Sequence, residues 1–179
     1  IVTGLVGSEM CIRDSPNMSI VEKVFQSVKR RDPDQPEFHQ AVWEVLESLE
    51  PVLEAHPEYA DAYLRLGVVF SEQELFEEAS EQFKKSTEYD LKNHDAWFRY
   101  ASSLNAIDNF SEASIAAQKC IDLKSNFGGG WYEKGVAEMK SGKKTRALKY
   151  FEEANKDRDW RKLAQRKIDE INNPTKYQK

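Results

Sequence analysis

The sequence predicts an all-α protein: a helix-turn-helix solenoid of three repeats, with N-terminal helices before it and a C-terminal capping helix after it. Three observations predict this. Large residues at Tyr63, Trp97 and Trp131 recur at a spacing of 34. Small residues keep the same step, at Gly67, Ala101 and Gly135 and again at Ala79, Ala113 and Ala147. Phe83, Ala117 and Phe151 follow, with the small residues Ser86, Cys120 and Ala154 three positions on. A period of this length with small residues at fixed offsets marks stacked helix pairs, because one pair cannot bury its apolar stripe alone.

Composition agrees. The 179 residues are 32% charged and 40% hydrophobic, which suits a helix-rich soluble chain long enough to bury a core. A net charge of -5 gives no general attraction to nucleic acid or anionic lipid, so neither is expected as a partner. The charge is uneven: Glu72, Glu74, Glu77, Glu78 and Glu81 cluster in the first repeat, and Lys140, Lys143, Lys144, Arg146 and Lys149 in the last. These are read as solvated faces, with self-association of a polarised solenoid as the alternative. No apolar run approaches the ~18 residues of a membrane span, and the start lacks the basic region of a signal peptide. A cytoplasmic location is expected. Cys11 and Cys120 suggest no disulfide framework.

In chain order, residues 1–17 show neither helical nor strand period. The run IVTGLVGSEMCIRDS resembles a read-through artefact of environmental sequences and is expected to be a non-native or disordered leader. Residues 18–59 are read as N-terminal helices. Ile20, Val21, Val24, Phe25 and Val28 share one helical side. After a loop, a helix is expected over 36–55, with Asp34 and Glu37 as a capping-box-like start and Pro36 in the first turn. Ala41, Val42, Val45, Leu46, Leu49, Val52 and Leu53 would form its apolar stripe, and Pro51 should kink it or loosen one backbone bond.

Within this segment, VKRRDPDQPEFHQAVWEVLESLEPVLEAHPEYADA resembles the N-terminal helical segment of hexameric glutamate dehydrogenases. The RDP turn, PEF-QAV and LEP-LE-HPEY carry the resemblance, which covers roughly residues 21–62. It implies a piece of a substrate domain that makes subunit contacts and holds no reacting residue. Neither that family's glycine-rich glutamate site with its lysine nor a G-x-G-x-x-G fingerprint follows, so no enzyme activity and no cofactor are expected. The same helix is in phase with the repeats: Pro57 precedes Leu91, and Leu49 precedes Phe83, by 34. Two origins stay open, a joined reading frame and a genuine capping helix that completes a partial repeat.

From Ala60 to about Arg161 the chain resembles tetratricopeptide repeats, divided as 60–93, 94–127 and 128–158. Tyr63, Trp97 and Trp131 take the family's large position, with Leu66, Tyr100 and Lys134 three residues on. Lys134 and Ala117 depart from the pattern and are expected to weaken packing locally. Residues 159–172 read as the capping helix, with Trp160, Leu163, Ala164, Ile168 and Ile171 inside, and 173–179 as a disordered tail.

Other motifs fail. Gly130 and Gly135 have the spacing of a phosphate loop, but Val136 stands where lysine is needed and no strand precedes them. Gly128–Gly130 and Gly142 are instead placed in turns, where positive φ is useful. His39, His56 and His94 have no metal-ligand spacing, so no metal is expected. The tryptophans are assigned to packing rather than to stacking on bases.

The resemblance to tetratricopeptide repeats implies a concave groove lined by the first helix of each pair, at one and five residues after the large position. Here these places hold Leu64 and Val68, Phe98 and Ser102, Tyr132 and Val136, and the next turn adds Ser71, Asn105 and Met139. The Lys and Asn with which some members grip a terminal carboxylate are missing from the first six. The expected function is a protein-protein interaction module that binds a peptide or amphipathic helix, with Leu64, Phe98 and Tyr132 as apolar anchors and Ser102 and Asn105 as hydrogen-bonding groups. The alternative is a structural or oligomerising domain whose groove is covered by a helix of its own.

Overall fold

The computed structural model describes residues 20–31, 33–56 and 58–177. The leader, Pro57 and the last two residues lie outside these. The chain divides into two units, Ile1–Pro51 and Val52–Lys179.

The first unit holds α1 (Ile20–Arg31) and most of α2 (Pro36–Ala55). The amphipathic spacing works as expected on α1, where Val21 and Val28 are fully buried. Phe25 packs on Trp43 with ring centroids 4.6 Å apart, and meets His39 edge-on at 6.5 Å. On α2 the inward face differs from the expected stripe. Leu46 and His39 are buried, Trp43 joins them, but Ala41 is exposed and Val45 is 49% exposed. The side chains of Leu49 and Leu53 lie outside the described residues. Gln35, not Asp34, directly precedes the helix, and its carbonyl accepts from the His39 amide. The helix runs on through Pro51 to Ala55.

The second unit is three helix pairs: α3 (Ala60–Glu72) with α4 (Phe76–Tyr89), α5 (His94–Ala106) with α6 (Phe110–Leu123), and α7 (Gly128–Lys140) with α8 (Lys144–Ala154). Each helix packs on the next in sequence, and α5 also packs on α7. α9 (Arg161–Asn172) closes the row against α8. All the regular elements among the described residues are helical. The core follows the period: Ala79, Ala113 and Ala147 are fully buried, as are Ser86, Cys120 and Ala154. The intra-repeat turns repeat too. Glu74, Asp108 and Gly142, each 34 apart, have φ of 57°, 61° and 80°.

Four expectations are corrected. Ala117 does not open the site to solvent: it and Ala101 are both fully buried, at the places where the other repeats set a phenylalanine on a glycine. Lys134 is accommodated by laying its ammonium on Gln118 and 4.9 Å from the Tyr150 ring centroid. Gly128–Gly130 are not a turn but the first three residues of α7, all buried, and none has positive φ. Neighbours come close to each: a Cβ on Gly128 would lie 2.6 Å from Asp157 Cβ, one on Gly129 2.6 Å from the Phe127 ring and 2.9 Å from the Trp160 ring, and one on Gly130 3.0 Å from Cys120 Sγ. Finally, Leu163 on α9 is 46% exposed rather than inside; after α9, Pro174–Lys176 form a 3-10 turn.

Candidate functional site

The predicted groove residues sit on the first helices as expected, all half-buried: Leu64 and Val68 on α3, Phe98, Ser102 and Asn105 on α5, Tyr132 and Val136 on α7. Their surroundings separate them into three groups.

One group is aromatic. Trp160, at the start of the cap, lies 5.4 Å from the Phe98 ring and 5.3 Å from Tyr132. Phe127 stands edge-on to Phe98 at 5.3 Å, and Tyr132 also meets Phe151 at 5.6 Å. Edge-to-face contact of this kind adds to the burial of each ring. The segment that delivers Trp160 is anchored by Asp157, whose carboxylate accepts from the Gly128 amide at 2.7 Å. That contact puts an anion on the α7 N-terminus and occupies the place a phosphate would take. Val136, Ile168 and Ile171 each pack against the buried cluster of Ala147, Phe151, Ala154 and Ala164. On the first-helix face of repeat 3, Tyr132 is therefore in contact with the segment that opens the cap.

The second group is polar. Asn105 Nδ2 donates to Glu133 twice, to its carbonyl at 3.0 Å and to its carboxylate at 2.8 Å. Ser102 also bonds the carboxylate. Glu133 is 7% exposed, and its burial pushes the carboxyl up to about 7 although both hydrogen bonds favour the ionised form. The Tyr132 phenol is also raised, chiefly by burial and then by Glu133 and Glu170. Asn105 and Ser102 thus tie α5 to α7.

The third group, Leu64 and Val68, lies on α3. Beside them on α3, Arg65 pairs with Asp61 at 2.7 Å, and one repeat on Arg99 pairs with Asp95 at 2.8 Å. Both pairs are one helical turn apart and partly exposed, so they contribute little to stability. Glu133 occupies the next place in this series, with Gly129 in the place of the aspartate, so the charged ladder ends where the cap begins.

Sequence reasoning missed Glu133, the two ion pairs and the destination of Trp160. The ladder was visible as Asp and Arg four apart at the repeat period. A lone glutamate in that series gave no sign of burial. Elsewhere, Glu138 takes the position of the buried Phe70 and Leu104 and is held by Arg146 at 3.4 Å and Lys143 at 3.6 Å. Two of the basic residues in repeat 3 are thereby used internally. Cys120 is buried and its thiol is pushed up to about 12 by that burial, which keeps it unreactive. No metal-binding group of His, Cys, Asp and Glu occurs among the described residues. No helix among them is long and apolar enough to cross a membrane.

Comparison with known proteins separates the two parts of the sequence. A profile described as tetratricopeptide repeat matches residues 60–93 and 129–156. The tetratricopeptide repeat-containing protein trd-1 of Caenorhabditis elegans is 23% identical over 150 residues, 82% of this chain and 20% of that protein. The NAD-specific glutamate dehydrogenase of Clostridium symbiosum is 46% identical over 52 residues, and the NADP-specific enzyme of Helicobacter pylori 39% over 56. Each match spans only 12% of the enzyme's length. Among solved structures, a crystal structure of MamA superposes with a TM-score of 0.65 at 23% identity, covering 86% of this chain and 83% of that one. At that identity the likeness is one of fold. The profile leaves out the repeat that carries the Ala101–Ala117 exchange, yet α5 and α6 pack as the other pairs do. From α3 to α8 the chain folds as a helix-turn-helix solenoid, similar to tetratricopeptide repeats over residues 60–93 and 129–156.

Proposed function

We propose that this chain is a non-enzymatic protein-interaction scaffold, which holds a peptide or amphipathic helix on the first-helix face of repeats 1 and 2. The observation that carries this is the unequal use of that face. Trp160 and α9 take up Tyr132 and Val136 in repeat 3, and Glu133 takes up Asn105. Leu64, Val68 and Ser71 on α3, with the Asp61–Arg65 and Asp95–Arg99 pairs, have no such cover from the cap. Apolar side chains between paired charges suit an amphipathic ligand with polar groups on its flanks. The expected ligand residues are apolar ones set at helical spacing against Leu64 and Val68. Ser102 and Phe98 lie at the border, Ser102 bonding Glu133 and Phe98 meeting Phe127 and Trp160.

The test is a peptide array read against three forms of the protein. Leu64→Asp with Val68→Asp should abolish binding of peptides selected by wild type, while Tyr132→Ala should leave their affinity within a factor of about three. Loss of binding in Tyr132→Ala alone, with binding kept in the α3 variant, would move the site to repeat 3.

A second function is favoured by one observation, the seating of Trp160 against Phe98 and Tyr132. It is a structural domain whose groove is filled by its own segment. Under it, Trp160→Ala creates peptide binding that wild type lacks. The dehydrogenase-like stretch matches short pieces of those enzymes, and a nicotinamide reduction assay with glutamate is expected to give no turnover.

A further inference from the structure

A notch of about 170 Å³ opens between α4, α5 and α6, with Trp97, Ile115, Lys84 and Glu88 around it and Thr87 and Ala116 at its floor. Thr87 and Ala116 are 1% exposed, whereas Ile115 at the mouth is 61% exposed. The indole of Trp97 is held in one orientation, because Nε1 donates to the Leu91 carbonyl at 3.1 Å. Trp97 and Ser102 project about 140° apart around α5, so this notch is separate from the first-helix face.

The molecule itself shows what lies beside such an indole. Trp131 holds the same place one repeat on, and its Nε1 donates to the Ser125 carbonyl at 2.8 Å. There the Tyr150 ring stacks on the indole, with centroids 6.1 Å apart and planes at 27°. The residue 34 before Tyr150 is Ala116. Repeat 2 therefore keeps the pinned indole and lacks the ring that repeat 3 lays on it. The size agrees: an apolar cavity of about 150 Å³ takes one benzene. Glu112 is held by Tyr100 and Asn109, but the charges of Lys84 and Glu88 on the lining suit a polypeptide, whose amides they can bond, better than a hydrocarbon or lipid chain.

We propose that this notch is a docking site for one aromatic side chain of a partner polypeptide, stacked on Trp97 in the place that Tyr150 takes on Trp131. The partner supplies a tyrosine or phenylalanine in an extended segment, with Ile115 covering the outer edge of the ring. This contact does not depend on the first-helix face and can be present or absent whatever that face binds.

Nuclear magnetic resonance titration of the full chain tests it, following the Trp97 indole N–H and the Ala116 amide. The probes are acetyl-Gly-Tyr-Gly-amide and, as control, acetyl-Gly-Leu-Gly-amide. The tyrosine peptide should shift both signals saturably, with a dissociation constant on the order of 1 mM, and the leucine peptide at least about tenfold more weakly. Ala116→Tyr should place its own ring in the notch and remove the response, and Ile115→Ser should weaken it several-fold. Equal responses to the two peptides, or none to the tyrosine peptide at several times that concentration, would overturn the proposal. So would an undiminished response in a folded Ala116→Tyr protein. The wild-type comparison decides the matter if that variant does not fold.

Discussion

The Phe83 ring fills the space that a side chain on Gly67 would need: a Cβ there would lie 2.6 Å from two of its carbons. Phe151 does the same at Gly135, again at 2.6 Å. In repeat 2 both members change together, to Ala101 and Ala117. A methyl on the first helix and a ring on the second compete for one volume, so either combination packs and a mixture does not.

That competition gives the first prediction. Ala117→Phe alone should cost about 1–3 kcal/mol through overpacking. Adding Ala101→Gly should recover most of this, less the roughly 1 kcal/mol that glycine costs inside a helix. Urea unfolding of the two single variants and the double variant measures the coupling, and additive effects would show that the sites do not share space.

The period was legible because each of these packing roles recurs three times in nearly the same chemistry. A single deviation can be read against two intact copies, yet its consequence depends on both partners, and pairing Ala117 with Ala101 requires knowing which side chains meet. The helix bounds were legible at Pro36 and Ala55, while the turn before α7 was drawn into Gly128–Gly130, which are helical. What was not legible is set by neighbours outside the period. Val45 and Leu163 fit an apolar stripe yet are 49% and 46% exposed. Trp160 fits the cap stripe, but the irregular turn before α9 carries it instead to Phe98 and Tyr132. The groove candidates lie on α3, α5 and α7, while the contact of Trp160 with Tyr132 depends on that same turn.

Trp160 is accordingly the keystone of the covered end. Trp160→Ala should cost about 2–4 kcal/mol, somewhat below a fully buried tryptophan because the ring is half-buried. Thermal melts should show the loss, and near-ultraviolet circular dichroism should lose intensity from Phe98, Phe127 and Tyr132. Gly129→Ala, which pushes a methyl toward the same ring, should act in the same direction.

Glu133 should make stability fall as pH rises. Its folded carboxyl titrates near 7, above the ordinary 4.5. Between those values the folded state binds more protons than the unfolded one, so the contribution is full below pH 4.5 and is lost as pH passes 7. At 1.36 kcal/mol per pH unit the span is at most on the order of 3 kcal/mol. Glu133→Gln keeps an acceptor for Asn105 and removes the titration. The stability difference between variant and wild type should therefore move in the variant's favour from pH 4.5 to 7.5. A difference that stays flat across this range would show that Glu133 is ionised throughout.

The three turn positions carry a backbone prediction. Asp108 at φ 61° is in the left-handed region that glycine takes at Gly142 with φ 80°. Asp108→Gly should therefore raise stability by about 0.5–1 kcal/mol, and Gly142→Ala should lower it by about 1 kcal/mol. Nothing lies within 4 Å of a Cβ on Gly142, so its loss measures backbone strain alone. Chemical denaturation of both variants checks the pair of opposite signs.

The central claim is that the first-helix face of repeats 1 and 2 holds a partner segment while that of repeat 3 serves the fold. Its most direct test is hydrogen exchange of the full chain with and without an array-selected peptide. The account predicts that the peptide slows exchange in α3 and α5 and leaves α7 and α9 unchanged. Protection confined to α7 and α9, with α3 exchanging as in the free protein, would contradict it.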